Sequence, residues 1–193
     1  NTEYDKTHAD RFTVDGKSIT MEEDVQFAHY DPNVASLMQL GKWFDYMREN
    51  GVYDNTRIIL VADHGRGLYL NWDRVIDNGP DTDFFFPLLM VKDFNAEGFS
   101  FSDEFMTTAD VPTLATSGLI DNPTNPFTGN AINANAKYDR PFYAFMSYDW
   151  DTSKNNGNQF FPGTWYRVDN QNARDKRNWV MVGENTVLPD ALR

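Results

Sequence analysis

Residues 56–62, Thr-Arg-Ile-Ile-Leu-Val-Ala, are β-branched and apolar almost without interruption, and the run stops abruptly at Asp63-His64-Gly65. A strand with one wet face alternates apolar and polar residues. A continuous run instead predicts a strand covered on both faces, the pattern of a parallel sheet held between helices. The segment before it fits. Asp31-Pro32 reads as a cap followed by a proline at the first helical position, where its missing amide hydrogen costs nothing. Val34, Leu37, Met38, Gly41, Phe44 and Met47 then recur at intervals of three and four, and Asn50-Gly51 supplies a stop. A helix feeding through a tight turn into a covered strand is half of a layered α/β unit. In open sheets of that kind ligands collect beyond the carboxyl ends of the strands, which is where Asp63 and His64 would stand.

The rest of the chain divides by texture. Residues 1–31 are polar, with the turn pair Asp15-Gly16, and read as a loop or extended leading segment. Residues 66–83 are rich in Gly, Asp and Asn and form a long loop suited to cover a site. Residues 84–91 are apolar, but Pro87 offers no ladder donor, so this run is an edge strand or is broken at that point. Asp110 followed by Val111-Pro112 repeats the cap-and-proline logic for a short helix ending near Gly118. Beyond residue 120 Asn, Pro, Gly and Thr dominate up to Lys137. Aromatic, alternating segments then follow at 142–150, 164–169 and 179–182, expected as strands of a C-terminal sheet. The expected organisation is a single domain over 1–193, with an α/β part at 32–120 and a β-rich part at 121–193.

Charge and composition exclude several functions. With 29 acidic against 17 basic residues, a net charge of −12 and no long basic run, the chain lacks the electrostatic drive that non-specific nucleic-acid binding needs. The absence of cysteine removes disulfides, thiolate metal sites and a cysteine nucleophile. No stretch approaches the roughly 20 continuous apolar residues that span a bilayer, so direct membrane insertion by this chain is not expected. An apolar content of 40% still supplies material for a core.

Asp63 and His64 offer one oxygen and one nitrogen donor, a combination that holds hard or borderline divalent ions. The dipeptide alone equally describes a polar turn with a surface imidazole. Because neighbouring strand residues point to opposite faces, joint ligation requires the backbone to leave strand geometry here, and Gly65 permits that departure. Other candidates are weaker. His8 and His29 have no partners at ligand spacing. Asp149, Asp151, Ser153 and Asn155 alternate like the start of a calcium loop, but Lys154 replaces the turn glycine and Phe160 the closing glutamate. Ser36, Ser100 and Ser117 lack a nucleophile elbow. Lys92 reads as a strand-end charge, and the aromatics from Phe142 to Trp179 as core.

Gly51 and the following Val52-Tyr53-Asp54-Asn55-Thr56, the apolar run and Asp63-His64-Gly65 resemble the signature shared by sulfatases, phosphoethanolamine transferases and lipoteichoic acid synthases, within the alkaline phosphatase superfamily. The likeness extends through the helix at 31–50, the segment 86–92 (Phe-Pro-Leu-Leu-Met-Val-Lys) and the segment 108–114 (Thr-Ala-Asp-Val-Pro-Thr-Leu), in order over about 30–120. It implies a partial layered sheet with helices of the alkaline phosphatase type, plus a C-terminal β-rich subregion. It also implies that Asp63 and His64 are two ligands of a divalent metal, manganese or magnesium in the synthase branch, calcium in sulfatases and zinc in alkaline phosphatases. In that family the nucleophile and a further acidic ligand lie upstream, so the 193-residue chain is expected to be a C-terminal part that holds metal weakly and is inactive alone. The implied partners are the N-terminal part of the catalytic domain and a lipid-linked or polymeric anionic ester. The implied location is the extracellular face of a bacterial membrane. Arg66, where many relatives carry acidic or small polar residues, is a candidate for binding an anionic substrate group, and a solvated arginine is the plainer alternative. A non-catalytic module binding an envelope polymer is the competing class of function.

Overall fold

Apolar alternation late in the chain produces the sheet on which the main buried cluster forms. The computed structural model describes residues 11–14, 17–21, 24–68, 74–77, 79–147 and 161–192, and among these the secondary structure is a mixture of helices with small antiparallel sheets. Strands β5 (Phe142–Met146), β6 (Gly163–Val168) and β7 (Trp179–Thr186) form a three-stranded sheet in the order β5-β6-β7. The register sets Ala144 opposite Tyr166 and Val168 opposite Trp179. With a side-chain period of two, Ala144, Tyr166, Val168 and Trp179 form one buried cluster, joined by Phe85, Ile76, Phe142 and Ala173. Phe145 and Trp165 also face each other across β5 and β6, ring centroids 4.8 Å apart. The Trp179 ring lies 4.9 Å from Phe85 and 5.9 Å from Tyr166, and its indole N–H donates to the Ala173 carbonyl at 2.8 Å. This large buried side chain therefore leaves no polar atom unpaired. The strands expected at 142–150, 164–169 and 179–182 are thus present, with 148–150 outside the described residues.

The α/β part departs from expectation in two ways. Helix α1 spans Asp24–Glu49, so Pro32 lies inside it rather than at its first position, and Asp31 does not cap it. The leading segment, expected as a loop or extended chain, contributes the start of α1 and, before it, an antiparallel pair of extended strands, β1 (Arg11–Val14) and β2 (Lys17–Thr20). An interior proline costs roughly 3 kcal/mol or more through a lost hydrogen bond and a ring clash. Local side chains bridge the disturbed turn: the Asn33 amide donates to the His29 carbonyl at 2.6 Å and the Ser36 hydroxyl to the Pro32 carbonyl at 2.7 Å. At the other end the stop is as expected. Gly51 adopts a left-handed φ of 66°, its N–H returns to the Arg48 carbonyl, and the Val52 N–H returns to the Met47 carbonyl, each at 3.0 Å.

The second departure concerns strand β3 (Ile58–Val61), which pairs antiparallel with β4 (Leu89–Lys92) in a two-stranded sheet, Ile58 opposite Lys92 and Val61 opposite Leu89. The parallel, doubly covered sheet is not what these residues form. Among the described residues between the two strands there is a 3₁₀ turn at Thr82–Phe85 and no crossover helix of the kind a parallel neighbour requires. Coverage is correspondingly incomplete. Ile58 is buried, while Val61 remains 45% exposed and Met90 and Val91 also reach solvent. The apolar run at 84–91 is indeed broken at Pro87.

Polar clamps hold this part together. The Arg57 guanidinium pairs with Asp93 at 2.9 Å and also donates to the carbonyls of Leu114 and Ser117, at the end of helix α2 (Val111–Thr116). These are the orphan carbonyls that a helix terminus presents to a cation. Lys92 donates to the carbonyls of Thr56 and Tyr53, which makes it a structural staple of the turn before β3. Helix α2 follows a capping box in which Asp110 accepts from the Thr107 backbone N–H at 2.7 Å, and Gly118 turns left-handed just beyond it. Among the described residues no helix is long and apolar enough to cross a membrane.

Candidate functional site

The last rung of the β3–β4 pair is the Ala62 N–H, which donates to the Leu88 carbonyl at 2.9 Å. Directly after it the chain bends. The His64 N–H donates back to Asp63 Oδ1 at 3.0 Å, which turns both side chains out of strand alternation and toward each other. Asp63 Oδ2 and His64 Nε2 stand 3.8 Å apart. His64 Nδ1 lies 2.6 Å from the Gly65 carbonyl. A carbonyl only accepts, so this contact places a proton on Nδ1, and in the neutral tautomer Nε2 is the ring nitrogen left with a lone pair. With metal bonds of about 2.0–2.2 Å, one ion can reach both atoms, so the donor pair fits a divalent cation. Both side chains are open to water, Asp63 at 90% and His64 at 68% exposure. Two solvated donors hold an ion weakly. Among the described residues no group of three or more potential ligands gathers here.

The position of this bend is fixed from below by residues 81–86. Gly65 donates its N–H to the Phe84 carbonyl at 2.9 Å, and a Cβ at Gly65 would lie 1.9 Å from the Asp83 carbonyl oxygen and 2.7 Å from that of Phe86. Only a glycine allows backbone to approach backbone this closely. Gly67 repeats the arrangement, its absent Cβ facing the Phe84 ring and the Asp81 side chain. Asp81 and Thr82 are completely buried in this platform, with Asp81 accepting from the Asp83 N–H at 2.9 Å. Asp83 pairs with Arg74 at 2.8 Å. Burial raises its carboxyl above the ordinary value of 3.8, with the Arg74 hydrogen bond and charge pulling it back. The platform was not singled out by residue type, because Asp81 and Thr82 sit in a polar loop composition. The Gly65-x-Gly67 spacing was its one readable trace.

Arg66 lies on the same bend, exposed, with its guanidinium 5.7 Å from the centroid of the Phe84 ring. The sequence-selected trio of Asp63, His64 and Arg66 is therefore consecutive at the end of β3 apart from the glycine between the last two. His29 is in α1, away from β3 in sequence, its carbonyl occupied by Asn33. His8 and the series 149–155 lie outside the described residues, as do residues 69–73 in the loop expected to cover the site. The described part of that loop is tied down, by the Val75–Asp81 bridge and by the Gln26 amide donating to the Leu68 carbonyl at 3.1 Å.

A cavity of about 450 Å³ opens beside the platform, between β3–β4, the segment 102–111 and the turn at 171–174. Phe86 is common to both, lining the cavity and touching the bend through its carbonyl. No protein-family model, curated protein or solved structure matches the chain.

Proposed function

We propose that the chain is the C-terminal part of a metal-dependent phosphotransferase or hydrolase of the sulfatase and lipoteichoic acid synthase type, acting on phosphate or sulfate esters at the extracellular face of a bacterial membrane. The observation that carries the reading is the 3.8 Å approach of Asp63 Oδ2 to His64 Nε2, with Nδ1 occupied by the Gly65 carbonyl. Asp63 and His64 hold a divalent ion, manganese or magnesium in the preferred reading. When bound, such an ion supplies positive charge that neutralises a phosphoryl or sulfuryl group and lowers the pKa of a nucleophile. Arg66, adjacent to the pair and resting on Phe84, binds an anionic oxygen of the substrate. The Gly65 carbonyl fixes the tautomer that leaves Nε2 free to ligate.

Two donors are half of a working ligand set, so the 193-residue chain binds metal weakly and does not turn over ester by itself. The remaining ligand and nucleophile come from an N-terminal part of the same catalytic domain. The test is a manganese titration of the chain read by water-proton relaxation. Saturable binding lost in both Asp63→Ala and His64→Ala is expected, and binding that survives both substitutions refutes the site. A longer protein containing this segment is expected to cleave bis(4-nitrophenyl) phosphate with manganese and to lose that activity with either substitution. Metal binding without any turnover in that protein favours instead a binding module for an anionic envelope polymer.

A further inference from the structure

We infer that the 450 Å³ cavity beside the platform is a binding site for a zwitterionic ligand with an apolar body, such as a short apolar peptide. The volume falls in the range of small-molecule sites. Phe86, Leu89, Phe105, Met106 and Phe142 give it an apolar, aromatic side, and Ser102, Thr107, Thr108, Gln171 and Asn172 add neutral polar groups. Phe105 and Phe142 meet edge to face at 5.4 Å and so present one continuous aromatic wall against which an apolar side chain can pack.

The rim decides what else the ligand carries. Arg174 borders the cavity on the turn before β7, and Asp103 and Glu104 border it on the segment before α2. All three are exposed. Lys137 lies nearby but is engaged, its ammonium 3.2 Å from Asp110 and 3.9 Å from Glu104, so the Glu104 charge is partly answered while Asp103 remains available. An anion alone meets the two carboxylates, and a cation alone meets the guanidinium. A molecule bearing both charges satisfies both sides, with its carboxylate toward Arg174 and its ammonium toward Asp103. Apolar burial supplies the affinity, and the two surface charges supply the selection for a free amino and a free carboxyl end. This site is independent of metal binding at Asp63 and His64.

Calorimetry with the dipeptide Phe-Phe, its N-acetyl derivative and its C-terminal amide, in buffer free of divalent ions, tests the assignment. Phe-Phe is expected to bind saturably at millimolar concentration. Arg174→Gln should weaken Phe-Phe by about threefold, the scale of an exposed charge pair, and leave the amide unaffected. Asp103→Asn should weaken Phe-Phe similarly and leave the acetyl derivative unaffected. Met106→Trp, which fills the chamber, and Thr108→Trp, at an exposed lining position, should each abolish binding in protein whose circular dichroism matches the original. The inference is overturned by absence of saturable binding, by binding that survives both tryptophan variants, or by charge variants that weaken the blocked and unblocked peptides equally.

Discussion

The two halves of the chain reach order by different means. In the C-terminal sheet Ala144, Tyr166, Val168 and Trp179 are buried together, and the strands follow from aromatic alternation. The α/β part buries Met47 and Ile58 but leaves Leu37, Met38, Trp43 and Val61 at 40–50% exposure, and is held by directed polar contacts from Arg57 and Lys92. Apolar packing there contributes less, because stabilisation scales with area removed from water and much of this area stays wet. The comparison teaches that the candidate site is mounted on the less packed half, where it depends on glycine contacts and hydrogen bonds for its position.

The strongest test of this contrast is Trp179→Ala. It removes a ring packed on Phe85 and Tyr166 and should cost about 3–5 kcal/mol in urea unfolding. Leu37→Ala on α1, already half exposed, should change stability by no more than about 0.5 kcal/mol. Equal losses would erase the distinction. Next, Arg57→Ala strips Asp93 and the α2 carbonyls of their shared donor and should cost about 1.5–3 kcal/mol. An unchanged urea midpoint would show that the polar clamps contribute nothing. Gly65→Ala drives a Cβ into the Asp83 carbonyl, and is expected to cost about 1–3 kcal/mol. It should also weaken manganese binding while circular dichroism of the C-terminal sheet persists.

The smallest effect is a pair of titrations with opposite sign. The Arg177 hydrogen bond holds Asp175 down at about 2, below its ordinary 3.8, so its stabilising contribution is complete above the ordinary carboxylate range and is lost as pH falls toward 2. Asp83 is raised by burial, so the folded chain takes up its proton before the unfolded chain does. Its contribution therefore improves as pH falls through the interval above 3.8. Carboxyl carbon NMR should place the Asp175 midpoint near 2 and the Asp83 midpoint above 3.8, and the reverse order would contradict the platform geometry.

The parts of the fold legible in the sequence are those in which one local rule acts alone. Period-two aromatics gave the three late strands, Gly51 gave the end of α1, and Pro87 gave the break before β4. Pro32 misled because proline at a first helical position and proline bridged by Asn33 and Ser36 look alike until the preceding turn is known. Residues 56–62 misled because a continuous apolar run predicts coverage on both faces without naming what covers it, and among the described residues β4 is its sole strand partner. In the site, the adjacency of Asp63 and His64 followed from the abrupt strand end. The buried platform of Asp81 and Thr82 did not, since its burial arises from contact with a bend far back in the sequence.

Trp179 completes a core whose other buried members, Ala144, Tyr166 and Val168, also lie beyond residue 140, with Ile76 and Phe85 packing against it from earlier in the chain. During synthesis, α1 and the β3–β4 pair leave the ribosome before the C-terminal sheet, carrying Trp43, Val61 and Val91 while that apolar cluster is still unmade. The growing chain therefore passes through a long interval in which its sticky surface is at its largest and its anchor has not yet been made, which is the interval in which molecular chaperones find their clients.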